Sequence, residues 1–169
     1  MTQHPKTPDR IAEMIRVDHA GEHGAVRIYD GQLAIFDKLP GFENTASLIR
    51  DMAEHEQAHL DHFDGLIAQR DVRPTVFSPA WNMAGFALGA VTALMGEKAA
   101  MACTAAVEAE IDAHYAAQLD ELETISDEED LTAAITKFRA DVNPRHSHQH
   151  ARISCRDAVN RVRQNLYRR

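Results

Sequence analysis

The chain has 169 residues, with 18 basic and 26 acidic side chains and a formal net charge of −8. That length suits one domain with a real core, and eight glycines, six prolines and 6% aromatic residues favour helices over a sandwich or barrel. An acidic chain is a poor general nucleic-acid binder, and two cysteines, Cys103 and Cys155, are too few for a disulfide framework.

The first ten residues, MTQHPKTPDR, hold no apolar segment, so no secretory signal is expected and a cytoplasmic chain is the simplest account. The spacing predicts a helix over 9–37, capped by Asp9. Its stripe is Ile11, Ile15, Asp18, Glu22, Ala25, Tyr29, Leu33 and Phe36, which recur at helical intervals. Two acids therefore stand in an apolar row. Pro40 and Gly41 break the chain.

A second helix is predicted over 45–70. Its stripe is Ile49, Met52, Glu56, His59, Leu60, Phe63, Leu66 and Ile67. Ionisable groups again occupy core positions, whereas His55 and His62 fall off that face and are expected in solvent. Residues 74–96 hold no charged side chain, and the helical text continues beyond them to Leu122. One long helix, 79–123, is the expectation. Its apolar first half is either a buried core helix or a surface that dips into a membrane interface without crossing it. Its second half carries Glu108 on the stripe Met101, Ala105, Glu108, Ile111, Tyr115, Leu119 and Leu122.

A fourth helix is predicted over 126–142, with Ser126 and Glu129 as a capping box, acids in the first turn, and Leu131, Ile135, Phe138 and Val142 inward. Asn143-Pro144 stops it. A short basic helix, 152–167, would follow. Residues 1–137 carry 10 basic and 24 acidic side chains, whereas 138–169 carry eight arginines and two aspartates. That tail reads as a solvated end or as a surface for anionic lipid. The expected organisation is a helical bundle over 1–142 and a His/Arg-rich tail over 143–169.

Glu56 and His59 are three residues apart, about 300° of helical rotation, so one face presents both. Four-helix bundles that hold two metals draw a Glu from each of two helices and Glu-x-x-His from each of the other two. Glu22, Glu56, His59 and Glu108 supply part of that set from three helices. A buried carboxylate protonates or finds a partner, and a shared cation would serve all of them. The alternatives are a solvated Glu-x-x-His face and inward acids paired with Arg or Lys. The donors suit iron or manganese.

The segments RVDHAGEHGAVRIYDGQ (16–32), HEQAH (55–59), RPTVFSPAWNMAGFALGAVTALMGEKAAMACTAAVE (73–108) and HYAAQL (114–119) resemble the demethoxyubiquinone hydroxylase family over roughly residues 10–139. The resemblance implies an all-α, ferritin-like four-helix bundle, here with a short, atypical C-terminal basic helix. It implies a di-iron, oxygen-dependent monooxygenase that hydroxylates a demethoxyubiquinol ring in ubiquinone biosynthesis. It places iron ligands on Glu22, Glu56, His59 and Glu108. His114 and Tyr115 match a His-Tyr pair near the family's site and would position the quinol or relay electrons. The expected partners are membrane-bound demethoxyubiquinol, molecular oxygen, the membrane surface, and a quinone-synthesis complex or a second copy of the chain, with no nucleic acid. The place would be peripheral, on the cytoplasmic face of the inner (cell) membrane.

The chain departs from the family in two places. His23 stands where an aromatic residue is usual. On the fourth helix the second Glu-x-x-His is missing: Val142 occupies the Glu position and Arg145 the His position. Asp141 with His146, His148 or His150 would make a substituted site. A deletion or reading shift in the gene would leave the same residues with no site, as would a plain histidine-rich exposed loop. The alternative expectation is thus a catalytically impaired ferritin-like protein that binds quinone or a partner, its iron complement incomplete.

Overall fold

The computed structural model describes residues 8–75, 78–125 and 127–141. Among them are five helices and no strand: α1 (Asp9–Phe36), α2 (Glu43–Gln69), α3 (Ser78–Leu94), α4 (Glu97–Leu122) and α5 (Glu129–Asp141). The all-α expectation holds, and the helix ends lie within three residues of those expected for the first and second helices. The described residues fall into two compact units divided between Gly96 and Glu97.

In the first unit α1 packs on both α2 and α3. It therefore buries more than the single stripe expected: Met14, His19, Ile28 and Gln32 join Ile11, Ile15, Asp18, Glu22, Ala25, Tyr29 and Phe36. Asp9 does not cap α1. Pro8 is the N-cap residue, without a side-chain cap bond, and Asp9 lies in the first turn, where its charge meets the positive end of the helix dipole. Pro favours the φ of −52° and ψ of 140° found at that boundary. The following turn uses Gly41 at φ +92°, a conformation open chiefly to glycine. On α2 the expected stripe is inward: Glu56, His59, Leu60, Phe63, Leu66 and Ile49 are buried. His55 and His62 are exposed.

The contact between α1 and α3 depends on absent side chains. A Cβ at Gly89 would run into the Ile28 carbonyl and stand 3.1 Å from the Gln32 nitrogen, and one at Gly31 would stand 2.8 Å from the Ala90 nitrogen. Backbone meets backbone there, which only glycine permits. Away from this contact Met83, Leu88, Val91 and Leu94 of α3 are exposed, and Trp81, also exposed, lies beside α1, its Nε1 3.2 Å from a Cβ placed on Gly24. No helix among the described residues is long and apolar enough to cross a membrane.

The single helix expected over 79–123 is two helices. Gly96 adopts φ +105°, and the chain tightens before it, with the Met95 N–H donating to Val91 O and the Gly96 N–H to Ala93 O. A left-handed glycine is a common helix terminator, and Glu97 then opens α4 with a favourable first-turn charge. The Gly-Glu pair was the readable signal.

In the second unit α5 packs on α4. Leu131, Ala134, Ile135 and Phe138 are its buried side, and Arg139 Nε donates to Asp112 Oδ1 at 2.9 Å. Glu129 and Asp130 occupy the first turn of α5. The remaining expectations for this end, namely Ser126, Val142, Asn143-Pro144, Arg145, His146, His148, His150, Cys155 and the helix 152–167, lie outside the described residues.

Candidate metal centre

Helical spacing brings two ligand types to one point on α2. Glu56 and His59 sit one turn apart and are 6% and 4% exposed. Glu22, from the facing side of α1, is 1% exposed. One ligand atom from each of these three residues lies within 4.8 Å of the others, and no other such group occurs among the described residues. His59 Nδ1 stands 3.5 Å from Glu56 Oε2 and 3.8 Å from Glu22 Oε2. Those separations are long for hydrogen bonds but close to what shared ligation of one ion requires, since two donors on opposite sides of an ion are about 4.2 Å apart at bond lengths of about 2.1 Å.

The electrostatics carry the same message. Burial pushes the Glu56 carboxyl up to about 8, with the neighbouring Glu22 adding to the rise and His59 opposing it. Burial alone would lower His59, but the Glu22 and Glu56 carboxylates outweigh it and raise the imidazole to about 10. The cluster retains protons at neutral pH because two acids share one dry space. A divalent cation would displace those protons and satisfy the carboxylates and the imidazole together. Two carboxylates and one imidazole suit iron or manganese, so the residues present fit the metal that the resemblance implies.

The other expected site residues lie in the second unit. Glu108 is on α4 and half-buried. His114 is half-buried and Tyr115 buried, their ring centroids 6.3 Å apart. Gln118 Nε2 lies 3.0 Å from His114 Nε2. Asp141, offered as a substitute ligand, is the last residue of α5 and exposed.

His19 is a buried polar residue outside the expected set. It is 6% exposed, one turn before Glu22 on α1, and its Nε2 lies 2.9 Å from Asp64 Oδ1 on α2. The signal available was the three-residue step from His19 to Glu22, the same step that joins Glu56 to His59.

Known proteins point the same way. The profile of the family described as ubiquinone biosynthesis protein COQ7 matches residues 9–164. The chain is 51% identical over 135 residues to a protein of Rhodospirillum rubrum named 3-demethoxyubiquinol 3-hydroxylase, covering 80% of this chain and 61% of the relative. It is 51% identical over 132 residues to a Dictyostelium discoideum protein named NADPH-dependent 3-demethoxyubiquinone 3-hydroxylase, mitochondrial, covering 78% of this chain and 59% of the relative. With the Caenorhabditis elegans protein of the latter name it shares 44% identity over 140 residues, covering 83% of this chain and 72% of the relative. The chain thus spans about three fifths of the length of the first two. A match over nearly the whole chain, with the buried Glu22, Glu56 and His59 inside it, settles the lineage: the chain belongs to the COQ7 family of ubiquinone biosynthesis proteins.

Proposed function

We propose that this protein hydroxylates the ring of a demethoxyubiquinol. One atom of molecular oxygen replaces a ring hydrogen as hydroxyl, and the other leaves as water, with two electrons and two protons supplied by an external reductant. The observation that carries this reading is the buried Glu22, Glu56 and His59 group in a chain of this family. Those three residues, with Glu108 as the family resemblance implies, would hold iron. The bound di-iron centre would supply oxygen activation.

The remaining work belongs to the chain. Burial of Glu22, Glu56 and His59 keeps bulk water from the reacting region. His114 and Tyr115 position the quinol ring by hydrogen bonding. The bare apolar side of α3 carries the polyprenyl tail and rests on the bilayer surface, at the cytoplasmic face of the membrane, without spanning it.

The test is anaerobic loading with ferrous iron, then addition of a demethoxyubiquinol and 18O-labelled oxygen. One labelled hydroxyl per product and about two irons per chain are expected. Glu56→Ala and Glu108→Ala should each abolish bound iron and product, and near-normal iron in both variants would refute the ligand assignment. A second reading has one observation behind it: the buried side chains of α5 are all apolar and Asp141 is exposed, so α5 offers no inward Glu-x-x-His. Iron-free protein that still binds quinone would select that reading, a binding protein without turnover.

A further inference from the structure

The candidate metal cluster is split between two helices, with Glu22 on α1 and Glu56 and His59 on α2. Its shape therefore depends on how α1 is placed along α2. Each residue of slip moves a ligand by about 1.5 Å, enough to spoil a site whose donors must meet on one ion.

The long-range bonds that tie α1, or the turn after it, to α2 and its exit include three away from the ligand atoms themselves. Asp37 pairs with Arg50 at 2.8 Å, both side chains about half exposed. Arg16 Nε donates to Arg73 O at 2.9 Å in an exposed setting. The third is His19 with Asp64 at 2.9 Å, where the histidine side chain is 8% and the aspartate 62% exposed. Exposed pairs contribute little and give way easily. The His19 bond has a desolvated donor, so breaking it leaves a buried imidazole without that partner.

Its location is also specific. His19 precedes Glu22 by one turn of α1, and Asp64 follows His59 by five residues on α2, which runs antiparallel after the turn. The tie therefore lies beside the ligands, along the same helix pair. A carboxylate only accepts, so His19 Nε2 carries the proton and donates.

We propose that His19 and Asp64 are positioning residues for the metal ligands: their bond holds Glu22 in register with Glu56 and His59. This inference rests on the assignment of that cluster as a metal site. A ligand set held across two helices tightens its metal only if the helices do not slide, and the change expected for losing a supporting hydrogen bond at a metal site is about 10–100-fold in affinity.

The test uses the full chain and cobalt(II), read by its visible absorption. Asp64→Ala should weaken cobalt binding about 10–100-fold and alter the band pattern, which reports coordination geometry. Asp64→Asn keeps an acceptor oxygen for His19 and should restore both affinity and spectrum to near wild type. Arg50→Ala removes a different tie between the same elements and should leave the spectrum unchanged, which separates positioning from general loosening. Wild-type affinity and spectrum in folded Asp64→Ala, or equal spectral change in Arg50→Ala, would overturn the proposal. Failure of the wild type itself to bind cobalt would overturn the cluster assignment and this inference with it.

Discussion

Glu56 and His59 hold protons more firmly in the fold than in an open chain, from 4.5 to about 8 and from 6.5 to about 10. Such groups contribute stability that is fully present below the unfolded value and lost as pH rises through the folded one. The metal-free protein should therefore lose stability from pH 4.5 toward 8 through Glu56, and from 6.5 toward 10 through His59. Thermal unfolding of metal-free wild type should show a steeper fall between those limits than Glu56→Gln, which has no proton to lose. Equal slopes would contradict the burial argument. Metal uptake displaces the same protons, so affinity should climb with pH over this interval. The inward turn of these residues was legible beforehand, because an acid and an imidazole one turn apart on an apolar stripe share a buried face. The bond from His19 to Asp64 was not, since the two are 45 residues apart and neither stripe names its partner.

The glycines of α3 and α2 separate packing from propensity at the level of the element. Gly89 has the Ile28 backbone against it, whereas Gly65 on α2 has nothing within 4 Å of an added Cβ. Gly89→Ala must push α1 and α3 apart, since no flexible side chain can yield, and should cost about 1–3 kcal/mol, the usual range for overpacking. Gly65→Ala should stabilise by up to about 1 kcal/mol, because alanine is the better helix former. Urea unfolding of the two variants beside wild type checks the signs, and a neutral Gly89→Ala would disprove the close approach. Helical conformation was legible over all five helices, but they were read as four. The division of the expected long helix was not legible, because the period of apolar residues runs on through Gly96 while its backbone turns left-handed at φ +105°.

For the molecule as a whole, the open question is what meets the bare side of α3. Gly85 and Gly89 face α1, Trp81 lies at the edge of that contact beside Gly24, and Met83, Val91 and Leu94 stand exposed away from it. Trp81 is 57% and Leu94 69% exposed, a costly display of apolar surface in water. Docking on lipid through this side should persist in high salt, because it does not depend on charge. Flotation with uncharged phosphatidylcholine vesicles should recover wild type and lose a variant with Trp81, Leu88 and Leu94 changed to serine. Equal recovery of both, with unchanged helical content, would place the membrane contact elsewhere. Of the two sequence readings of 74–96, the core helix describes the side of α3 that packs on α1, and the interface reading makes the prediction for the exposed side. A charge-free run identifies an apolar helix but not how many of its sides find a neighbour.

Periodicity and breakers alone determined that the chain is helical, where α1, α2 and α5 run, and that Glu22, Glu56 and His59 turn from solvent. The physical reason is local: burial recurs with the turn of the helix, so each stripe is written in its own segment. Tertiary structure decided which stripes meet, that α1 is buried on two sides, and that His19 reaches Asp64. Those outcomes depend on register and distance between segments far apart in the chain, and the helical period is the same at every register.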